Sequence, residues 1–240
     1  MNQDTPSVDS GYVEPGVGRI SVRTAAVMLA FTLVFTAFMS GTYKATEPLL
    51  AASAQAEKLR LIGEVLPPAS YDNDLLSDKI VIPPQQALDT REDKLLYRAR
   101  HGTDSIALVF EASAPDGYSG GIGLLLAVDA AGHLLAQRVI SHRETPGLGD
   151  YIDPKKDRNK QRPWITQFNN RGFDTVPQAQ WKVRKDGGRF DQMNGATISA
   201  RAVTNASRRA LAWIEPRRTA LFSLPNGSRL AADEEGTKAP

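Results

Sequence analysis

The chain has 240 residues, of which 41% are hydrophobic and 23% are charged, with a formal net charge of +2 and no cysteine. This composition is typical of a folded protein and excludes a largely disordered chain. The lack of cysteine excludes a disulfide scaffold, an iron–sulfur cluster and a thiolate zinc site. The near-neutral charge balance does not indicate nucleic acid as a partner.

An uncharged, largely apolar stretch runs from Thr24 to Tyr43. A helix of that length extends about 30 Å, which is the thickness of the hydrocarbon core of a bilayer. The apolar region of a secretory signal peptide is shorter, about 7–15 residues. A buried helix of a soluble protein keeps a polar stripe. We therefore predict an uncleaved transmembrane helix over residues 24–46.

The charges that flank this helix do not fix its orientation. Arg19 and Arg23 lie shortly before it, and Lys44, Lys58 and Arg60 follow within a similar distance. Long domains also cross membranes largely regardless of charge. We take the usual arrangement as our expectation, with residues 1–23 as a cytoplasmic tail and the larger C-terminal part outside.

The remaining elements predict an α+β fold, in which the single transmembrane helix is followed by one domain with an antiparallel-rich sheet and packed helices. Apolar residues recur at helical spacing from Ile198 to Ile214 and predict a helix that ends before Pro216. The predicted strands are 80–82, 105–112 and a hairpin formed by 121–127 and 134–141. The predicted regions after the transmembrane helix are a membrane-proximal helix at 47–69, the domain at 70–225 and a flexible tail at 226–240.

The segment Asp191-Gln192-Met193-Asn194-Gly195-Ala196-Thr197 leads into the last predicted helix. One interpretation makes Thr197 an N-cap, whose hydroxyl accepts hydrogen bonds from backbone N–H groups two or three residues on. The other interpretation places a phosphate at this helix start, where free N–H groups and the helix dipole favour an anion. Gly195 and Ala196 would then let a bulky group approach the hydroxyl. The residues alone leave both interpretations open.

This segment resembles the flavinylation motif Asp-x-x-(Ser/Thr)-Gly-Ala-Thr of FMN-binding domains, with Asn194 in place of the usual Ser or Thr. Two upstream blocks occur in the order of that family. Residues 141–149 resemble its His-x-Glu-Thr-Pro-Gly-Leu-Gly loop, and residues 117–122 fit the glycine-rich strand start before it. The resemblance covers residues 105–205 and implies FMN as the cofactor. It also implies a phosphoester bond to Thr197, made by a flavin transferase that uses FAD and recognises Asp191, Asn194, Gly195 and Ala196.

The same resemblance implies that the loop after His142 borders the flavin ring. Glu144 and Thr145 would make polar contacts, Gly147 would allow the sharp turn, and Leu148 would present an apolar surface. Gly195, Ala196 and Thr197 complete the predicted cofactor site. We predict no catalytic residue in this chain. We also predict no metal site, because the other two histidines have no ligand-like spacing to His142 and Glu144.

With the membrane helix and this length, the three blocks are similar to the G subunits of Rnf-type ion-translocating electron-transport complexes. The C subunits of sodium-pumping NADH:quinone oxidoreductases have a similar layout and remain an alternative. The resemblance implies an electron carrier in a bacterial inner-membrane translocase that couples electron transfer between ferredoxin and NAD to ion movement. The isolated subunit would turn over no substrate. The implied partners are the other subunits, the flavin transferase and the membrane, with the domain on the periplasmic side.

Two alternatives from other classes remain. The chain could be a cofactor-free, membrane-tethered binding or assembly module, in which Thr197 is only a helix cap. A hydrolase is disfavoured, because the sequence contains no Gly-x-Ser-x-Gly nucleophile elbow.

Overall fold

The computed structural model describes residues 17–231. Most of the predicted cytoplasmic tail and residues 232–240 of the predicted C-terminal tail therefore lie outside the described residues. The chain divides into two compact units between Ala56 and Glu57.

The first unit contains most of a long helix, α1 (Val17–Gly63). Within it, Ile20–Glu47 is apolar and long enough to cross a membrane, and none of its apolar window is buried by other parts of the protein. These 28 residues extend about 42 Å as a helix. The hydroxyls of Thr32 and Thr42 donate to carbonyl groups four residues earlier, at 2.8 and 2.9 Å. Both hydroxyls are thus satisfied inside the helix itself, as a bilayer requires.

The second unit is built on five strands that follow one another in the sheet in chain order, each antiparallel to the next. The strands are β1 (Lys79–Ile82), β2 (Lys94–His101), β3 (Asp104–Ala114), β4 (Ile122–Asp129) and β5 (Leu134–Ser141). The structure confirms the predicted short strand β1, the strand β3 and the β4–β5 hairpin. Strand β2 was not predicted. The α+β fold class with an antiparallel sheet is confirmed.

Alternate residues of the central strands point to opposite faces of the sheet, as the period of two in a strand requires. On one face, Leu108 and Phe110 of β3 pack beneath helix α2 (Thr197–Ile214). On the other face, Val109 packs with the chain just before the sheet, which includes the buried side chains of Ile62, Val65 and Leu66. The sheet is therefore covered on both sides, and α2 carries the candidate motif at its first turn.

An aromatic cluster extends the core below the start of α2. The rings of Phe168 and Phe190 stack with centroids 4.4 Å apart, and the ring of Trp181 lies 4.8 Å from that of Phe190. Phe168 belongs to a 3-10 helix, Trp164–Phe168. The segment that leads into the motif is thus anchored on a rigid aromatic layer.

The end of the domain returns to the first strand. A short helix, α3 (Arg218–Ser223), was not predicted. After it, the Val81 N–H of β1 donates to the Ser228 carbonyl at 2.9 Å, and the Leu230 N–H donates to the Val81 carbonyl at 2.8 Å. The described chain is therefore held against β1 as far as residue 230, within the stretch that we had assigned to a flexible tail.

Candidate cofactor site

A cavity of about 110 Å³ lies where the loop after β5 meets the start of α2. Five of the residues that the sequence singled out contribute to its wall, although they come from two motifs that lie far apart along the chain. The lining residues are Tyr118, Glu144, Thr145, Leu148, Gly149, Gly195, Ala196, Ile198 and Ser199. The fold thus brings both motifs to one place.

Thr197 is the first residue of α2 and follows an N-cap at Ala196. Within residues 17–231 no side-chain hydrogen bond caps this helix start, and its first turn contains no acidic residue. Thr197 is half-buried, and within the described part of the chain its hydroxyl has no hydrogen-bond partner. The interpretation of Thr197 as an N-cap is therefore wrong, because the residue lies one position inside the helix and its hydroxyl is left unused.

The turn before Thr197 is held by hydrogen bonds at both ends. The Ala196 N–H donates to the Met193 carbonyl at 3.2 Å, and Gly195 adopts a φ of 86°, which strains any residue with a side chain. The Tyr151 hydroxyl accepts from the Met193 N–H at 3.1 Å and donates to the Ala196 carbonyl at 3.3 Å. Burial raises the pKa of Tyr151 to about 12, so the phenol keeps the proton that it donates.

The loop that faces this turn is equally compact. The N–H groups of Leu148 and Gly149 both donate to the Thr145 carbonyl at 3.1 Å. Gly147 adopts a φ of 75° and donates its N–H to Asp150 at 2.9 Å, but it does not line the cavity. The predicted role of Gly147 in the sharp turn agrees with its positive φ, and the residue shapes the loop that presents Leu148 without lining the cavity itself.

The rim of the cavity is apolar and exposed. Tyr118 is 66% exposed, Leu148 42% and Ile198 44%. Of the described residues that follow α1, these are the only large hydrophobic side chains exposed to this degree. Tyr118 and Ile198 were missed as site residues, although Tyr118 lies inside the glycine-rich block and Ile198 directly follows Thr197. A small cavity with a polar group, Glu144, in its wall and an apolar rim is suited to a flat, partly apolar ligand.

Of the four residues predicted for transferase recognition, Gly195 and Ala196 line this cavity, whereas Asp191 and Asn194 do not. Asp191 lines a second cavity of about 550 Å³, together with residues such as Trp164, and pairs with Arg184 at 2.9 Å. Asn194 is exposed in the turn before Thr197. The C-terminal end of the motif, with Gly195 and Ala196, therefore lines the small cavity, and its N-terminal end, with Asp191, lines the second cavity.

Gly117 is a position where the site depends on the absence of a side chain. A Cβ at residue 117 would collide with the Gly120 carbonyl oxygen and lie 2.9 Å from Ile122 and 3.0 Å from a carboxylate oxygen of Glu144. We expect Gly117→Ala to lower the free energy of unfolding by about 1–3 kcal/mol through overpacking. For a domain of this size the melting temperature should fall by about 2–4 °C per kcal/mol, which thermal unfolding of the purified chain measures.

Gly121→Ala is the matched control in the same loop. A Cβ there would meet only the Ala114 carbonyl oxygen and the Ser113 hydroxyl, both at 3.9 Å. Its melting temperature should stay within about 1 °C of the unsubstituted chain, since an unstrained Gly→Ala change is close to neutral or slightly stabilising. Equal melting temperatures for the two variants would contradict the close packing at residue 117.

Comparison with known proteins agrees with this geometry. The sequence model of the FMN-binding domain family matches residues 117–212, which contain both loops and most of α2. The match therefore includes the cavity, its rim and Thr197.

Similar proteins extend the comparison over most of the chain. The chain is 40% identical to a protein of Cronobacter sakazakii, over 85% of this chain and 93% of that protein. It is 38% identical to one of Pseudomonas aeruginosa, over 85% and 94%, and 35% identical to one of Shewanella amazonensis, over 86% and 94%. Each of these relatives is named as the G subunit of an ion-translocating oxidoreductase complex.

Proposed function

Since the chain belongs to the family of ion-translocating oxidoreductase complex G subunits and contains an FMN-binding domain, we propose that it carries electrons within such a complex through FMN bonded to Thr197. One observation carries the assignment of the attachment residue. The Thr197 hydroxyl has no partner among the described residues, and it starts a helix that no side chain caps, beside a cavity with an apolar rim.

The start of α2 fits a phosphate group. The first N–H groups of a helix have no partner within it, and the helix dipole adds partial positive charge there. No residue of the first turn of α2 is acidic, and the nearby carboxylate of Glu144 is occupied by the Ser119 N–H and the Ser199 hydroxyl. Gly195 and Ala196 keep the approach to the hydroxyl open. These features support Thr197 as the residue that holds the phosphate.

The rim fits a flavin ring. Tyr118, Leu148 and Ile198 offer apolar contact area, and Thr145 is an exposed polar residue at the same edge. The cavity of about 110 Å³ is smaller than pockets that enclose whole ligands, which start at about 300 Å³. A ring held here would stay partly at the surface, where a neighbouring subunit can exchange electrons with it. When bound, FMN supplies the redox chemistry and the protein supplies position and electrostatics.

Attachment requires a flavin transferase and FAD. The Oγ1 atom of Thr197 would form a bond to the FMN phosphorus while the phosphoanhydride bond of FAD breaks. AMP leaves, and a base of the transferase takes the hydroxyl proton. Asp191 and the exposed Asn194 support recognition of the motif from outside, because both are accessible. The chain thus contributes the acceptor and the surface that is recognised.

The mass of the denatured chain tests this proposal. We expect an addition of about 440 Da, the mass of an FMN phosphoester, when the chain is co-expressed with a flavin transferase. Without the transferase the chain should have its unmodified mass. An unmodified chain in both samples would favour the alternative of a cofactor-free assembly module.

We further propose that α1 anchors the chain in the bacterial inner membrane, with the FMN-binding domain in the periplasm, where it meets the other subunits of the complex. A covalent bond is useful there, because a lost cofactor cannot readily be replaced outside the cytoplasm. The apolar segment Ile20–Glu47 supports the anchor.

Single cysteines test the orientation, because the natural chain has none. We expect Gln178→Cys, at an exposed position of the domain, to react with a membrane-impermeant maleimide in cells whose outer membrane alone is permeabilised. Ser10→Cys, in the N-terminal tail, should react only after the inner membrane is opened. Labelling in the reverse order would place the domain in the cytoplasm.

A further inference from the structure

Among the described residues that line the small cavity, Glu144 is the one with a charged side chain, and the sequence suggested it only as a polar contact to the flavin. We propose that Glu144 is a positioning residue, whose buried carboxylate holds together the three chain segments around the cavity and keeps a negative charge beside the cofactor. This proposal rests on the proposed function for the location of FMN, and its first part can be tested on the chain without flavin.

Both carboxylate oxygens of Glu144 are engaged by the protein itself. The side chain is only 4% exposed. One oxygen accepts from the Ser119 N–H at 3.1 Å, and the other accepts from the Ser199 hydroxyl. A group that only accepts hydrogen bonds at both oxygens has the pattern of an ionised carboxylate.

The backbone around the carboxylate is shaped to fit it. A Cβ at Gly149 would lie 2.8 Å from a carboxylate oxygen of Glu144 and 2.8 Å from the Ser199 hydroxyl oxygen. A Cβ at Gly117 would lie 3.0 Å from the other carboxylate oxygen. Real Cβ atoms essentially never show contacts as short as 2.8 Å, and 3.0 Å is tighter than most, so glycine at both positions lets the two loops close onto Glu144.

The three segments that meet at Glu144 are far apart in the sequence, and each contributes to the rim. The first carries Tyr118 beside Ser119, the second carries Leu148, and the third carries Ile198 beside Ser199. A single side chain therefore links the three segments that carry the apolar rim residues. Loss of its hydrogen bonds frees two loops and the first turn of α2 together.

The carboxylate of Glu144 is buried against neutral hydrogen-bond donors. None of the Lys, Arg or His residues that the structure describes forms an ion pair with it. Hydrogen bonds alone stabilise the carboxylate, and its net negative charge remains in the cavity wall. A negative charge opposes the addition of electrons to a nearby group, and more strongly so in a low-dielectric surrounding. Glu144 should therefore lower the reduction potential of the bound flavin.

Three variants separate the two parts of the proposal. Glu144→Gln keeps the shape, since its amide can accept from Ser119 and donate to Ser199, but removes the charge. Glu144→Ala removes both. Glu111→Gln is the matched control, because it removes the same charge from β3 at a residue that does not line this cavity.

Hydrogen exchange of the flavin-free chain, read by mass spectrometry, tests positioning. We expect Glu144→Ala to raise the exchange rates of peptides that cover residues 117–121 and 144–149 by tenfold or more. Glu144→Gln should stay within about threefold of the unsubstituted chain. Unchanged exchange in Glu144→Ala would overturn the positioning role.

Redox titration of the flavin-loaded chain tests the charge. Glu144→Gln should shift the two-electron equilibrium toward the reduced form by tenfold, which is about 30 mV to more positive potential, while Glu111→Gln should leave it unchanged. Equal potentials for Glu144→Gln and the unsubstituted chain would overturn this part. Denatured mass of the same samples keeps the outcomes distinct, because a chain without added mass contradicts the proposed function and leaves the exchange result standing.

Discussion

The variant Thr197→Ala should fold, remain in the membrane and contain no covalent flavin. Its denatured mass should lack the addition of about 440 Da that an FMN phosphoester brings, and its band should show no flavin fluorescence in a denaturing gel. The fold should survive because the Thr197 hydroxyl makes no hydrogen bond in the described structure. Ala also favours a helix more than Thr does, by roughly 0.5 kcal/mol.

Two controls make this loss specific. Thr197→Ser keeps a hydroxyl at the helix start, so we expect it to retain the added mass. Thr145→Ala removes the threonine that lines the cavity and should retain the added mass as well. Covalent flavin on Thr197→Ala, or its loss on Thr145→Ala alone, would move the attachment to another residue.

The sequence identified both loops of the site, but not how they are joined. Gly195 and Gly147 stand out because turns with positive φ favour glycine, and the structure gives them φ values of 86° and 75°. The roles of Tyr118 and Ser199 depend on tertiary closure, since each reaches the cavity only after Glu144 bridges segments that are distant in the sequence. No local pattern reports such a contact.

Hydrophobic patterning predicted the apolar core strands, but it missed strand β2, which carries a buried arginine. Strand β3 alternates between two buried faces, and its apolar run is clear in the sequence. Strand β2 carries Arg98 and Arg100, which are typical of solvated segments. Yet Arg98 is only 2% exposed, because it pairs with Asp78 and its guanidinium reaches carbonyl groups at the end of α3. A buried cation satisfied by distant groups cannot be recognised from its own segment.

We expect a second large effect when the hydrogen bonds of Arg98 are lost, and this effect is on the stability of the fold. The Arg98 guanidinium donates to Asp78 at 2.7 Å and to the carbonyl groups of Leu221, at 3.2 Å, and Leu224. It thereby joins β2 to the end of α3, where cations also interact favourably with the helix dipole. We expect Arg98→Met to lower the free energy of unfolding by about 3–5 kcal/mol, because it leaves a largely buried carboxylate and two carbonyl groups without this partner.

Arg100→Met is the matched control for this prediction. Arg100 also contacts Asp78, at 2.8 Å, and the Phe222 carbonyl at 2.7 Å, but its side chain is 26% exposed. Water can replace part of its interactions, so the loss of Arg100 should cost about 1 kcal/mol.

Thermal unfolding in detergent should therefore place the melting temperature of Arg98→Met at least about 4 °C below that of Arg100→Met. Both variants should still acquire the mass of FMN at the expression temperature, since neither residue lines the cavity beside Thr197. Equal melting temperatures would show that the buried Arg98 contributes no more to stability than the partly exposed Arg100.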